Sequence, residues 1–223
     1  MSTGTCRLEV RGDVRILHLT DGENRFNRGS IDAIHAALDE VAAVEGPVAL
    51  VTTGEGKFFS NGLDLDWLST AGDAGPFIAD VHRVFGRLLS MDVFTVAAVN
   101  GHAYAGGAML ARSHDHVVMR DDRGYWCLPE IDLGLPLTPG MYACVASHVP
   151  KAAMQEASLT GRRYTAVEAV AAGIVEESAA EIDVLDRAVT VATQMAAKNR
   201  AVLAAHKALL HGDAAATCLA GSQ

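Results

Sequence analysis

Positive charge and aromatic side chains are both scarce in this sequence. Phe, Trp and Tyr make up 5% of the 223 residues, and 18 Lys and Arg stand against 27 Asp and Glu, which gives a formal net charge of −9. A general nucleic-acid binder needs a basic face that displaces counterions from phosphates, so this class is excluded. One small polyanion held by a few local cations remains compatible with the composition.

Cysteine is also scarce, and its spacing does not suggest a metal site. Cys6, Cys127, Cys144 and Cys218 form no CxxC pair, so we expect buried, reduced thiols and no metal. The start of the chain has charged residues and no apolar segment typical of a secretion signal, and the end is not a Ser-Lys-Leu tail. These features predict a cytoplasmic protein.

One long uncharged stretch could suggest a membrane span, but it is too interrupted to be one. Residues 93–111 contain Asn100-Gly101-His102 and Gly106-Gly107, which would break an apolar helix in two. A buried strand, a turn and a buried helix fit this stretch better than a membrane span.

Several signature motifs are absent. Gly54-Glu55-Gly56-Lys57 is followed by Phe58, where a phosphate-binding loop needs Ser or Thr for Mg²⁺. There is no GxGxxG after the first predicted strand, no HExxH and no GxSxG. We therefore expect neither a dinucleotide nor a metal cofactor.

The sequence is rich in apolar residues, and their spacing alternates along the chain between that of strands and that of helices. Half of the residues are hydrophobic, and 21 are glycine, which excludes a disordered chain and predicts one α/β domain. Short apolar runs predict buried strands at residues 14–19, 48–53, 94–99 and 116–119. Helical spacing predicts helices at 30–41, capped by Ser30, and at 77–89 and 106–113, with a loop at 54–66. This alternation is typical of parallel βαβ units.

The last third of the chain is predicted to be mainly helical. Thr165-Ala166-Val167-Glu168 is a capping box, and Gly173 is well placed to end the short helix that it starts. Apolar spacing predicts two further helices at 184–195 and 202–210. We divide the single domain into a core at 1–160 and a helical region at 161–223.

Three segments combine strand ends with small residues. They lie at residues 58–65, 96–110 and 128–134. Glycines at such turns let backbone N–H groups approach a ligand without a Cβ in the way. Two N–H groups from separate strand ends could therefore donate to one ligand oxygen.

The order of these segments resembles the crotonase, or enoyl-CoA hydratase/isomerase, superfamily. The matching motifs are Phe59-Ser60-Asn61-Gly62-Leu63-Asp64, Asn100 to Gly107, Pro129 to Gly134 and Thr160 to Val175. The resemblance covers roughly residues 8 to 210. It implies an α/β spiral of ββα units with a helical C-terminal region, an acyl-CoA substrate, and assembly as a trimer or hexamer.

The resemblance also implies how the site works. The backbone N–H groups of Leu63 and Gly106 would form an oxyanion hole for the thioester oxygen of an acyl-CoA. Hydratases of this family use two glutamates; the second aligns with Glu130, whereas Met109 stands at the position of the first. A methionine can neither transfer a proton nor hold a nucleophilic water.

One carboxylate and an oxyanion hole suffice for moving a double bond. A single base can take a proton from C2 of a 3-enoyl-CoA and return it at C4, with no metal or redox cofactor. Asn61 to Trp67 and Ser113 to Gly124 also resemble the single-glutamate Δ3,Δ2-enoyl-CoA isomerases of the plant and peroxisomal type. We therefore expect an acyl-CoA double-bond isomerase with Glu130 as its acid and base.

The resemblance also implies further substrate contacts. The expected contacts are Arg25, Phe26, Ser60, Gly62, Gly107, Met109 and Lys207. Asp66 and Asp132 are possible additional carboxylates, while Asp64 is expected to cap a helix and His102 to be structural.

Two alternatives to the isomerase function stay open. They are another crotonase-type reaction (hydration, dehalogenation, decarboxylation or thioester hydrolysis) and a catalytically silent acyl-CoA-binding subunit.

Overall fold

The computed structural model describes residues 5–220, and its strands form two sheets. In chain order the strands are β1 (Cys6–Arg11), β2 (Val14–Leu19), β3 (Ala49–Gly54), β4 (Phe58–Ser60), β5 (Phe94–Val99), β6 (His102–Tyr104), β7 (His116–Arg120), β8 (Trp126–Cys127) and β9 (Glu177–Ala179). The larger sheet has the order β1-β2-β3-β5-β7-β9, and the smaller one the order β4-β6-β8. All pairings are parallel except that of β1 with β2.

Helices follow the strands and dominate the C-terminal third. They are α1 (Arg28–Ala42), α2 (Leu65–Thr70), α3 (Gly75–Ser90), α4 (Gly106–Arg112), α5 (Glu130–Leu133), α6 (Pro139–Ala146), α7 (Lys151–Thr160), α8 (Ala166–Ala171), α9 (Val184–Ala196) and α10 (Arg200–Leu219). Over residues 5–220, no helix is both long and apolar enough to cross a membrane.

The chain repeats one unit three times. A strand of the larger sheet is followed by a strand of the smaller sheet and then by a helix, as in β3-β4-α2, β5-β6-α4 and β7-β8-α5. This repetition confirms the predicted spiral of ββα units. It also places the ends of β4, β6 and β8 side by side at one edge of the smaller sheet, because these strands are parallel.

The short strands of the smaller sheet were not predicted. The segment 54–66, expected to be a loop, contains β4 and the start of α2. Strands of two or three residues are too short to show a hydrophobic period, and they exist because neighbouring strands accept their hydrogen bonds. For the same reason the prediction missed β9, which joins the larger sheet from the mainly helical region.

Helix starts follow capping chemistry. The predicted capping box at Thr165 and Glu168 is present, and Asp64 caps α2 as expected. The cap of α1 is Asn27, not Ser30: the Asn27 side chain accepts from the Ser30 N–H, and the Ser30 hydroxyl accepts from the Asn27 N–H. Ser30 is therefore the N3 residue of a capping box whose N-cap residue, Asn27, the prediction overlooked.

The central strands of the larger sheet, β2, β3, β5 and β7, are buried on both faces. One face carries Ile16, Val51, Val96 and Val118, which pack with α9. The other carries Leu17, Leu50, Ala97 and Val117, which pack with α1, α3 and α4 in the main core. Continuous apolar runs are required for strands that are covered on both sides, which is why the sequence pattern predicted these strands correctly.

Candidate active site

The candidate site lies where the three strands of the smaller sheet end. Gly62 and Leu63 follow β4, Gly106 follows β6, and Glu130 follows β8. The parallel pairing brings these residues to one edge, although they are far apart in the sequence. The three segments with small residues at strand ends thus meet in the folded chain.

These residues line an apolar cavity of about 250 Å³. Its walls come from α2, α3, α4 and α6 and from the segment that follows β8. The lining residues are Asn61, Leu63, Leu65, Leu68, Ile78, Val81, Phe85, Ala105, Gly106, Met109, Glu130, Leu133, Leu135, Pro136 and Met141. Within this lining, Glu130 is the one side chain that can ionise.

Glu130 begins α5 and is 9% exposed. Its Oε2 is buried and has no hydrogen-bond partner among the described residues. Burial disfavours the charged form and raises the pKa of this carboxyl above its ordinary value. The turn that carries it is closed by the Leu135 N–H, which donates to the Glu130 carbonyl at 3.0 Å. A buried carboxyl with one oxygen that makes no hydrogen bond is suited to moving a proton on a ligand in the cavity.

Leu63 presents its backbone N–H on the side that faces away from Phe26. Phe26 and Leu63 form an isolated parallel bridge, in which the Phe26 N–H donates to Gly62 O at 2.7 Å and the Asp64 N–H donates to Phe26 O at 3.0 Å. This pattern uses the neighbours of Leu63 and leaves its own N–H pointing the other way. In the described part of the chain, no acceptor lies within hydrogen-bond distance of it.

Gly106 is the first residue of α4, so its N–H has no partner within the helix. The preceding residue, Ala105, has φ 50° and ψ −124°, a conformation that L-residues rarely adopt. The Ala105 N–H donates to Cys127 O at 3.0 Å, which anchors this turn to β8. A residue keeps such a strained conformation only where the surrounding contacts hold it in place. Here the strained turn at Ala105 fixes the direction of the Gly106 N–H.

Glycine is required at two further positions around these amides. Gly62 has φ 74°, and a Cβ there would lie 2.7 Å from Gly106 N. A Cβ on Gly107 would lie 2.1 Å from Ser60 O. The Ser60 hydroxyl donates to Asn24 O at 2.7 Å and accepts from the Gly62 N–H at 3.2 Å. Ser60 and Gly107, predicted to contact substrate, therefore lie behind the cavity wall and hold the turn that carries Leu63.

Met109 lines the cavity and is 1% exposed. The two additional carboxylates that the sequence left open lie elsewhere. The Asp66 side chain is 96% exposed and lies 3.6 Å from Arg25 Nη1. Asp132 faces Gly161, where a Cβ would lie 2.5 Å from Asp132 Oδ2. Neither carboxylate reaches the cavity, so Glu130 has no second acid beside it within the described lining.

The two cations predicted to bind substrate have different surroundings. Arg25 is partly exposed and contacts Glu23 at 2.7 Å, and it precedes Phe26 in the chain. Lys207 is 2% exposed, and its Nζ donates to Leu88 O at 2.8 Å and pairs with Asp115 at 2.8 Å. Lys207, predicted to bind substrate, does not line the cavity, because its ammonium group is buried in an ion pair with Asp115.

The apolar walls of the cavity were missed as site residues. Val81 and Phe85 belong to the stripe of α3 that predicted a helix packed on the core. Hydrophobic periodicity identifies such a buried face, but it cannot tell packed core from the wall of a cavity. The same limit applies to Met141 of α6 and to Leu133, which follows Glu130 on α5.

Comparison with known proteins by sequence points to one family. A family model described as enoyl-CoA hydratase/isomerase matches residues 13–222. Enoyl-CoA delta isomerase 3 of Arabidopsis thaliana is 39% identical over 204 residues, covering 86% of this chain and 85% of the relative. The peroxisomal enoyl-CoA delta isomerase 2 of the same plant is 40% identical over 206 residues, with the same coverage of both chains.

Solved structures share the architecture. An enoyl-CoA isomerase of Mycobacterium tuberculosis superposes with a TM-score of 0.89 at 26% identity, covering 99% of this chain and 96% of the other. An enoyl-CoA hydratase/isomerase family protein from Pseudomonas syringae has a TM-score of 0.92 at 22% identity and covers 98% of this chain and 95% of its own. The second likeness shows the fold alone.

Proposed function

The chain belongs to the enoyl-CoA hydratase/isomerase family, and from this membership we propose that it is a Δ3,Δ2-enoyl-CoA isomerase. It would convert a 3-enoyl-CoA into the conjugated 2-enoyl-CoA. The observation that carries this function is the single ionisable side chain in the described lining of the cavity, Glu130, next to the apolar Met109.

The reaction needs one group that both removes and returns a proton. Protons at C2 of a 3-enoyl-CoA are acidic because they lie between the thioester and the alkene. Ionised Glu130 takes one of them, and the negative charge spreads over a dienolate that includes the thioester oxygen. The same carboxyl, now protonated, delivers its proton to C4, and the double bond ends between C2 and C3.

We propose that the dienolate oxygen is bound by the Leu63 and Gly106 N–H groups. Support comes from the absence of other acceptors for both amides in the described chain and from the close approach of Gly62 to Gly106. Donors that are already oriented stabilise developing charge without reorganising during the reaction. Together with Glu130, they would supply a base on one side of the reacting carbons and an oxygen site at the thioester.

Hydration is disfavoured by the same lining. Adding water to a 2-enoyl-CoA needs a second group to hold and activate the water, and the position that hydratases use for it is occupied by Met109. The thioether gives the cavity an apolar wall instead, which suits the hydrocarbon part of the substrate.

The direct test is Glu130→Gln. Isomerisation of 3-hexenoyl-CoA, followed by the absorbance of the conjugated thioester, is expected to fall by at least about 10²-fold, because the amide cannot take a proton. Asp132→Asn is the control, since this carboxylate lies on the same short helix but faces Gly161. Full activity of Glu130→Gln protein would overturn the assignment.

We also propose that Arg25 contacts the coenzyme A part of the substrate, whereas the Phe26 side chain, predicted with it, is 1% exposed and packs beside Gly106. Arg25 is partly exposed beside the bridge between Phe26 and Leu63, so it can reach a phosphate near the mouth of the site. Arg25→Ala is expected to raise the KM for the thioester with little change in kcat, which is the pattern of lost ground-state binding.

We propose that the protein assembles as a trimer or hexamer. Support comes from large apolar side chains on the outer surface of α6 and α10: Tyr142 is 52% exposed, Leu209 85% and Leu210 71%. Contiguous exposed apolar surface typically marks an interaction site. Light scattering of the purified protein would give the mass as a multiple of 23.4 kDa, and Leu209→Lys with Leu210→Lys is expected to lower it.

We propose a reducing compartment, the cytoplasm, as the place of action. Cys127, Cys144 and Cys218 are buried and carry no disulfide. One of the plant relatives is named as peroxisomal, so imaging of the tagged protein should compare both locations.

A further inference from the structure

The depth of the cavity limits the acyl chain. Resting on the proposed isomerase function, we infer that Phe85 closes the inner end of the acyl cavity and makes the enzyme favour short 3-enoyl chains over long ones. The cavity opens to solvent at one end, stops at α3 at the other, and has an inner wall that is held in place from behind.

The exposure of the lining residues gives the direction of the cavity. Leu65, Leu133 and Leu135 are 42%, 52% and 44% exposed, so they form the mouth. Val81 and Phe85 of α3 are each 1% exposed, so they lie at the inner part of the cavity, as does Met109 of α4. A chain held at the thioester by Leu63 and Gly106 and passing Glu130 would therefore end against α3.

Contacts with α10 hold the inner wall. A Cβ on Gly86, the residue after Phe85, would lie 2.8 Å from Leu219 Cγ and 3.1 Å from Cys218 Cβ, both on α10. Farther along α3, the Leu88 carbonyl accepts from Lys207 Nζ at 2.8 Å. Helix α3 is thus packed tightly against α10, and it cannot move outward to admit a longer chain without breaking these contacts.

The closed inner end limits the length. The cavity has a volume of about 250 Å³, and its innermost lining residues are 1% exposed, so an acyl chain that enters from the mouth has finite room. Each methylene that a rigid pocket cannot admit is expected to lower kcat/KM by about tenfold or more.

The test measures kcat/KM for the 3-hexenoyl, 3-octenoyl and 3-dodecenoyl thioesters of coenzyme A. Wild-type protein is expected to prefer the six- and eight-carbon substrates over the twelve-carbon one by at least about 10²-fold. Phe85→Ala should raise the ratio of twelve- to six-carbon kcat/KM by at least about tenfold, because it opens the inner end. Phe85→Trp should shift the preference toward the shorter chain.

Val84→Ala is the matched control. Val84 is the neighbouring residue on α3, is also 1% exposed, and does not line the cavity. It is expected to lose stability as a core truncation does and to keep the wild-type chain-length ratio. If Phe85→Ala does not fold, Met141→Ala opens the adjacent wall from α6 and should move the ratio in the same direction.

Two outcomes overturn the inference. One is equal kcat/KM for all three chain lengths in wild-type protein. The other is a ratio of twelve- to six-carbon kcat/KM that changes no more in Phe85→Ala than it does in Val84→Ala. Either result would leave the isomerase function intact, whereas a protein that isomerises no chain length would refute the function itself.

Discussion

Gly62 and Gly106 approach so closely that a Cβ on Gly62 would lie 2.7 Å from the Gly106 nitrogen. This contact joins the turns that follow β4 and β6, and it fixes the spacing of the two amides proposed to bind the thioester oxygen. The positive φ of 74° at Gly62 adds a second reason why this position accepts only glycine.

Gly62→Ala is therefore expected to displace the Gly106 N–H and to lower kcat by about 10²-fold or more, the usual cost of losing one such donor. The measurement is the steady-state rate with 3-hexenoyl-CoA. Gly56→Ala is a matched control, because Gly56 also has φ 74° but a Cβ there meets nothing within 4 Å. Equal losses in the two variants would point to backbone strain and would contradict the role of the contact.

The activity should depend on the ionisation of Glu130. Burial raises the pKa of this carboxyl above its ordinary value of 4.5, and only the carboxylate form can remove a C2 proton. As the pH falls through the raised pKa, the base is lost, so kcat/KM should decline at a higher pH than an exposed glutamate would give. Circular dichroism over the same range would show that the decline precedes acid unfolding; a decline confined to the unfolding range would count against it.

Met109→Glu should add hydration. A second carboxyl in the cavity could hold the water that Glu130 alone does not activate, and 2-hexenoyl-CoA should then gain the mass of one water in a mass-spectrometric assay. Met109→Gln has a similar shape without an acid, and it should give no hydrated product. If the two variants hydrate equally, the missing carboxylate is not what separates this enzyme from a hydratase.

Lys207 should act on stability and not on substrate affinity. Burial lowers the pKa of its ammonium group, and Asp115 opposes this shift. Lys207→Met would leave the Asp115 carboxylate buried without its cation, at a cost of about 3–5 kcal/mol in the free energy of unfolding measured by urea denaturation. Arg187→Met, which removes an exposed pair with Glu177, should cost at most about 1 kcal/mol. A raised KM for the thioester with unchanged stability would restore the substrate role of Lys207.

Sequence patterns alone predicted those features that depend on residues close to one another in the chain. The apolar runs of the larger sheet are continuous because both faces are covered, so their positions were predicted, as were the capping box at Thr165 and the cap at Asp64. The motifs around Gly62, Gly106 and Glu130 also placed the chain in its family. Met109 stands where the resemblance places a hydratase glutamate, and this difference indicated single-base chemistry.

Other features were decided only by the tertiary structure, because they depend on residues distant in the sequence. Lys207 was predicted to bind substrate, but folding brings Asp115 and the Leu88 carbonyl to its ammonium group. Ser60 holds the Gly62 turn instead of contacting a ligand. The apolar stripe of α3 has the same sequence pattern whether it packs against the core or borders a cavity. Only the fold therefore shows that Phe85 lines the cavity. The sequence by itself determined the family and predicted the acid-base residue, whereas the tertiary structure decided which side chains line the cavity, because those come from segments distant in the chain.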